Sequence, residues 1–240
     1  MVSKILVLVS VLGVINLTNG LSAPFITPCK ASDLKCAIDN AVGAIPLFAD
    51  GLKDYGVATM DPLYFKSVDS STSSLKLLLN DINLTGLKNC KPNIIKRNPA
   101  ESNIRVQLEC TLNVDGEYEM SGQILLLNIA GKGKIHVLLS KYNIVILLDI
   151  GEKTKDGQKY YRIKKFTHTY ELKEKSDVVF EGLFEDNAVL SKATQEVIKN
   201  GGNEVINEIG TEMFKAAITA VVENLNHFFG KVPINELSLD

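Results

Sequence analysis

Four cysteines and three histidines are the side chains of this sequence best suited to chemistry beyond packing. Cys29 and Cys36 lie in PCKASDLKC, and Cys90 and Cys110 stand further along the chain. A zinc site would want close Cys-x-x-Cys pairs, and the sequence has none. A catalytic thiol would normally leave an odd cysteine, whereas the count here is even. An even count in an oxidising compartment reads as disulfides. Of the three possible pairings, sequence proximity favours Cys29–Cys36 and Cys90–Cys110. His136, His168 and His227 are far apart and lack ligand spacing, so no metal site is expected. Gly131-Lys132-Gly133-Lys134 lacks the G-x-x-x-x-G-K-[ST] frame of a phosphate loop and reads as a turn between strands. There is no G-x-S-x-G and no nucleophile–base pair, so no catalytic residue and no cofactor are expected. Asn83-Leu84-Thr85 is a glycosylation sequon.

The compartment follows from the start of the chain, MVSKILVLVSVLGVINLTNGLSA. Lys4 precedes an apolar run from Ile5 to Ile15, and small residues follow at Gly20, Ser22 and Ala23. That layout is a secretory signal peptide over 1–23, with cleavage after Gly20 or Ala23. The run is too short to span a membrane, which takes roughly 20 residues. What remains, 24–240, fits one large domain or two small ones by length, and is taken as one. Without the leader the chain has 25 basic and 28 acidic residues. Nothing in that balance favours nucleic acid.

Three kinds of element must position whatever site there is. Ser32 or Asp33 can cap a first helix carrying Leu34, Ala37, Ile38, Ala41, Val42 and Ile45 at helical spacing. Pro46 is expected to bend or restart it, and Gly51 and Gly56 to end the region. From Met60 to about Phe184 the pattern is that of strands. In NIRVQLECTLNVD (103–115), Ile104, Val106, Leu108, Cys110, Leu112 and Val114 share one face. Residues 74–88, 117–129, 134–150 and 159–173 are also long. Asp115-Gly116, Gly131-Lys132-Gly133 and Lys155-Asp156-Gly157 supply candidate turns, giving an antiparallel meander. Asp186 or Asn187 starts a C-terminal helical segment. Gly201-Gly202 interrupts it, and Asn203 can cap a second segment to Phe229. On that segment Ile206, Ile209, Met213, Ala217, Ala220, Val221 and Phe228 form one apolar arc.

The expected fold is α+β: a long curved antiparallel sheet wrapped around a long amphipathic C-terminal helix. One helix need not fill such a concavity; periodicity reads a packed core and an open one alike, and any space left would be an apolar tunnel. Its lining would come from Val106 and Leu108, from Tyr118, Met120, Ile124 and Leu126, and from Phe166, His168 and Tyr170. The helix would add Ile206, Ile209, Met213, Ala217, Val221, Asn224 and Phe228. Leu47 and Phe48 of the first helix are candidates at a gate. Tyr118, His168, Tyr170 and Asn224 are polar groups on apolar faces. Each either is satisfied by the protein or orients the polar head of a ligand.

Several segments resemble the takeout and juvenile-hormone-binding protein family of insects. PCKASDLKC is similar to its N-terminal cysteine motif, and MDPLYFKSV and DINLTGLKN to the start of its sheet. GEYEMSGQILLLNIAGKGKI resembles its GxY…GxILxLPIxGxG segment, with Asn128 in place of the usual Pro. LFEDNAVL and FFGKVPINEL resemble its C-terminal signature. The second disulfide of the hormone-binding branch has no counterpart, which places the chain nearer the takeout-like branch. The resemblance implies a single elongated domain, secreted into haemolymph, holding a terpenoid, juvenile-hormone-like, fatty-acid or other lipid ligand in a hydrophobic tunnel.

The function expected is therefore a secreted, monomeric, non-catalytic carrier of a small or elongated hydrophobic molecule. One rival is a membrane-surface lipid-transfer or recognition protein using Lys159, Arg162, Lys164 and Lys165. Another is a hydrolase, against which the lack of a triad counts.

Overall fold

The computed structural model describes residues 20–184 and 186–240. The apolar run of the expected leader lies outside the described residues. Helix α1 (Leu34–Asp50) is capped by Asp33, whose carboxylate accepts from the Cys36 amide at 3.0 Å. Gly51, at φ 92°, ends it. Pro46 does not restart the helix, which runs on through it. The carbonyl it leaves unpaired is that of Val42, a residue on the exposed face, where solvent can satisfy it.

Seven strands follow: β1 (Leu63–Asp69), β2 (Leu75–Thr85), β3 (Lys91–Asn98), β4 (Asn103–Ile124), β5 (Leu127–Lys155), β6 (Gln158–Leu172) and β7 (Asp177–Phe180). The sheet is antiparallel in the order β1-β2-β4-β5-β6, with β3 on one part of β4 and β7 on one part of β5. β4 spans 22 residues and β5 spans 29, against a usual 5–6.

That length overturns two of the expected turns. Asp115-Gly116 lies inside β4, and Gly131-Lys132-Gly133 lies inside β5, where Tyr118 pairs with Gly133 and Met120 with Gly131. The hairpin is instead Leu125-Leu126, at φ 48° and 68°. The glycines of β5 serve close approach rather than turning. A Cβ on Gly133 would sit 2.3 Å from the Glu181 carbonyl oxygen, and one on Gly131 would sit 2.8 Å from that of Gly182. The Lys155-Asp156-Gly157 turn is present, with Asp156 and Gly157 at φ 51° and 78°.

The C-terminal helices are α2 (Ala188–Asn200), α3 (Gly202–Ile209) and α4 (Thr211–Phe229). Asn187 caps α2 through the Leu190 amide. The break at Gly201 falls where the sequence places it. A second break at Gly210 divides the segment that the wheel treats as one helix. Asn203 does not cap α3: its side chain accepts from the Ser176 amide and donates to the Glu174 carbonyl. Helix α4 packs against both β1 and β6, the outer strands of the five-strand path. The sheet therefore curls around it, as an apolar sheet face and an apolar helix stripe require. Asn226 ties α4 to β6 by accepting from the Ile163 amide and donating to its carbonyl.

Candidate ligand chamber

A bulge in β5 decides which side chains face inward. Cys110 pairs with Tyr142 and Leu112 with Leu139, so Ser140 and Lys141 share the space opposite Thr111. Lys141 takes φ 44° to achieve this. Before the bulge, Ile135, Val137 and Leu139 are buried; after it, Tyr142, Ile144, Ile146 and Leu148 are. This second set lies beside Val106, Leu108, Cys110 and Leu112 of the adjacent strand β4, and together they wall one side of an apolar chamber of about 290 Å³. Helix α1 supplies Ala41, Ala44, Ile45 and Phe48, and α4 supplies Phe214, Ala217, Ile218, Val221 and Leu225. Alanines at 41, 44 and 217 keep the two helices from filling the space between them.

The Cys90–Cys110 disulfide forms part of the wall. Cys110 is on the inward face of β4. Cys90 reaches it by preceding Lys91, which pairs with Glu109. A second cavity of about 250 Å³ shares Ala41, Ala44, Phe48, Ile95 and Leu225 with the first and extends to Lys30, Arg97, Leu237 and Ser238. It forms a mouth. The Cys29–Cys36 disulfide fixes one lip. Arg97 of β3 pairs with Asp240, whose carboxylate also accepts from the Ala31 amide of that lip at 3.0 Å. That backbone hydrogen bond and the guanidinium hold the Asp240 carboxyl below its usual range.

At the inner end three rings meet. Phe214 lies 4.9 Å from Tyr142 and 4.7 Å from Tyr170. Burial pushes the Tyr142 hydroxyl pKa well up and raises that of Tyr170. No protein group hydrogen-bonds the Tyr142 hydroxyl among the described residues.

Of the residues expected to line a tunnel, Phe48, Val106, Leu108, Ala217 and Val221 line the chamber, and Phe228 lines the mouth. Others do not. Leu126 is 93% exposed, because it is the tip of the β4–β5 hairpin. Leu47 is 39% exposed, away from the chamber that Phe48 lines. Tyr118, Met120, Ile124, Ile206, Ile209 and Met213 are buried in packed core beyond the chamber. There Tyr118 donates to the Glu181 carbonyl at 2.7 Å and meets Phe180. Asn224 is also satisfied by the protein, accepting from the Ala58 amide and donating to the Ala220 carbonyl. Phe166, His168 and Tyr170 lie half-buried on β6, outside the chamber's lining. Burial lowers the His168 pKa. Tyr142 and Phe214 were missed by the sequence reading. Phe214 falls beside Val221 on the helix wheel, at the edge of the apolar arc, and only the bulge at Lys141 brings Tyr142 inward.

Elsewhere, Asn83 is exposed on β2. In the basic run of β6, Lys159 pairs with Glu152 and Lys165 with Asp149. No described helix is long and apolar enough to cross a membrane.

The architecture is thus that of a curled antiparallel sheet closed over an apolar chamber by its C-terminal helices. Residues 5–239 match the family model described as haemolymph juvenile hormone binding protein, and the chain belongs to that family, with the takeout proteins. Two curated relatives, each described as circadian clock-controlled protein daywake, are 22% identical over 239 residues in Drosophila melanogaster and 21% over 237 in Drosophila yakuba. Each match covers 92% of this chain and 90% of the relative. The crystal structure of Epiphyas postvittana takeout 1 superposes with a TM-score of 0.85 at 28% identity, covering 89% of this chain and 99% of that one.

Proposed function

We propose that this chain is a secreted carrier that encloses one small hydrophobic molecule in the chamber between α1, α4 and strands β4 and β5. The observation that carries the proposal is the lining: every residue around the 290 Å³ space is aliphatic, aromatic or a disulfide cysteine. The volume is near the low end of ordinary ligand pockets. A ligand hiding roughly 300 Å² of apolar surface gains about 7–8 kcal/mol, before the cost of association. The family match supports the same reading. The carrier does no chemistry on its cargo. The signal-peptide pattern of residues 1–23 supports export, and the mouth beside the Cys29–Cys36 arm is the route in.

Mass spectrometry of an organic extract from protein purified from its native source tests this. The carrier reading expects an apolar compound recovered in near-equal amount to protein. An extract free of any such compound, from protein that also binds no apolar probe, overturns it.

A further inference from the structure

The geometry points to Asn83 as the attachment site of an N-linked glycan whose first N-acetylglucosamine lies on the ring of Tyr64. The inference rests on the export half of the proposed function and is independent of the cargo.

Asn83-Leu84-Thr85 is a sequon on β2, while the other sequon of the sequence, Asn16-Leu17-Thr18, falls inside the expected leader. Asn83 is exposed, whereas its neighbours Ile82 and Leu84 are buried and Leu84 lines the chamber. Strand alternation therefore turns Asn83 to the outer face of the sheet, where a glycan leaves chamber and mouth free. Tyr64 of β1 stands directly opposite Asn83. The two side chains thus leave the same face about 5 Å apart. Among the described residues Tyr64 is the one exposed tyrosine, at 54%. Its ring is nonetheless held in place, because the hydroxyl donates to the carboxylate of Asp81, two residues before Asn83 on β2. The side-chain nitrogen of Asn83 donates to the carbonyl of the same Asp81 at 3.4 Å. Ring and attachment atom therefore converge on one residue. On the other side of Asn83 stands Asp115 of β4, a carboxylate paired with His136, which offers a sugar no apolar face.

The donor is a polyprenyl-diphosphate-linked oligosaccharide. The Asn83 Nδ2 bonds to the anomeric carbon of the first sugar and gives up one proton. The bond from that carbon to the diphosphate oxygen breaks, and its electron pair leaves with the diphosphate. The nitrogen keeps one hydrogen, which still serves the Asp81 carbonyl. One face of N-acetylglucosamine carries axial C–H bonds and is apolar. An aromatic ring held beside the linkage covers that face and is itself removed from water.

The parent and variants would be secreted from cultured mammalian cells and weighed intact before and after peptide-N-glycosidase. The parent and Thr85→Ser should exceed the mass of the mature chain and lose the excess on treatment, with Asn83 then read as Asp by peptide mapping. Asn83→Gln and Thr85→Ala should carry no excess. Enzymatic removal of the glycan from the folded parent should lower the thermal midpoint by about 2–4 °C. Removal from Tyr64→Ala should lower it clearly less. Each protein is compared with its own deglycosylated form, so any cost of losing the ring itself cancels. Parent protein secreted at the mass of the bare chain overturns the site and leaves the carrier reading standing. Equal falls in both proteins, or no fall in the parent, overturn the role of Tyr64. Failure of the chain to be secreted at all overturns the export reading, and this inference with it.

Discussion

The rings of Tyr142 and Phe214 meet at 4.9 Å and end the chamber. Met213, the neighbour of Phe214 in sequence, is 5% exposed yet lies outside the lining. Neighbouring positions on one helix thus belong to different environments, one bordering empty space and one bordering packed protein. Met213→Trp should overpack the core, at a cost of about 1–3 kcal/mol. Probe affinity should hold. Urea midpoints and dye titration check both halves; a stable variant with blocked binding would extend the chamber past Phe214.

Much of this arrangement could be read from residue patterns. The alternation at 103–115 places Val106 and Leu108 correctly, and the α4 arc places Ala217 and Val221 correctly. What the patterns do not carry is any departure from strict period. Inward positions on β5 are odd-numbered up to Leu139 and even-numbered from Tyr142, and nothing in Ser140-Lys141 announces the change. Glycine is ambiguous in the same way. Gly131 and Gly133 look like turn residues, but they make room for the backbone at 181–182. Leu125-Leu126 looks like strand and is the turn. Periodicity also marks a face as buried without distinguishing packed core from open chamber, which is why Met120, Ile124 and Ile209 were grouped with true lining residues.

The two disulfides have different work, and their removal should separate. Cys90 and Cys110 are both buried and both wall the chamber. Replacing both with Ala should cost about 2–4 kcal/mol and weaken dye binding. Replacing Cys29 and Cys36 with Ala frees an arm at the mouth, closing a shorter loop, so the stability loss should be smaller. Dye release should quicken instead. Urea midpoints and stopped-flow dissociation distinguish the pairs; equal effects from both would contradict the assignment of the arm to the mouth.

The packing of residues 21–23 bears on where the leader is removed. The Leu21 amide donates to the Lys231 carbonyl, the Tyr55 hydroxyl donates to the Ser22 carbonyl, and Ala23 is 2% exposed. Cleavage after Gly20 keeps these contacts; cleavage after Ala23 discards them. Intact mass of secreted protein should match a chain starting at Leu21. A chain starting at Pro24 should melt lower, and finding it as the natural product would show the contacts to be dispensable.

The central claim is that the space bounded by α1, α4, β4 and β5 is where cargo sits, and Ala217→Trp tests it most directly. Ala217 faces that space from the middle of α4 and is 9% exposed. Dye titration and urea midpoints would be measured on the delipidated parent and variant. The account predicts saturable dye binding by the parent, at least about tenfold weaker in the variant, because the indole occupies the chamber. Stability of the empty protein should hold or rise, since the new ring covers apolar wall. A variant that binds dye like the parent while losing about 1–3 kcal/mol, the signature of overpacking, would contradict it.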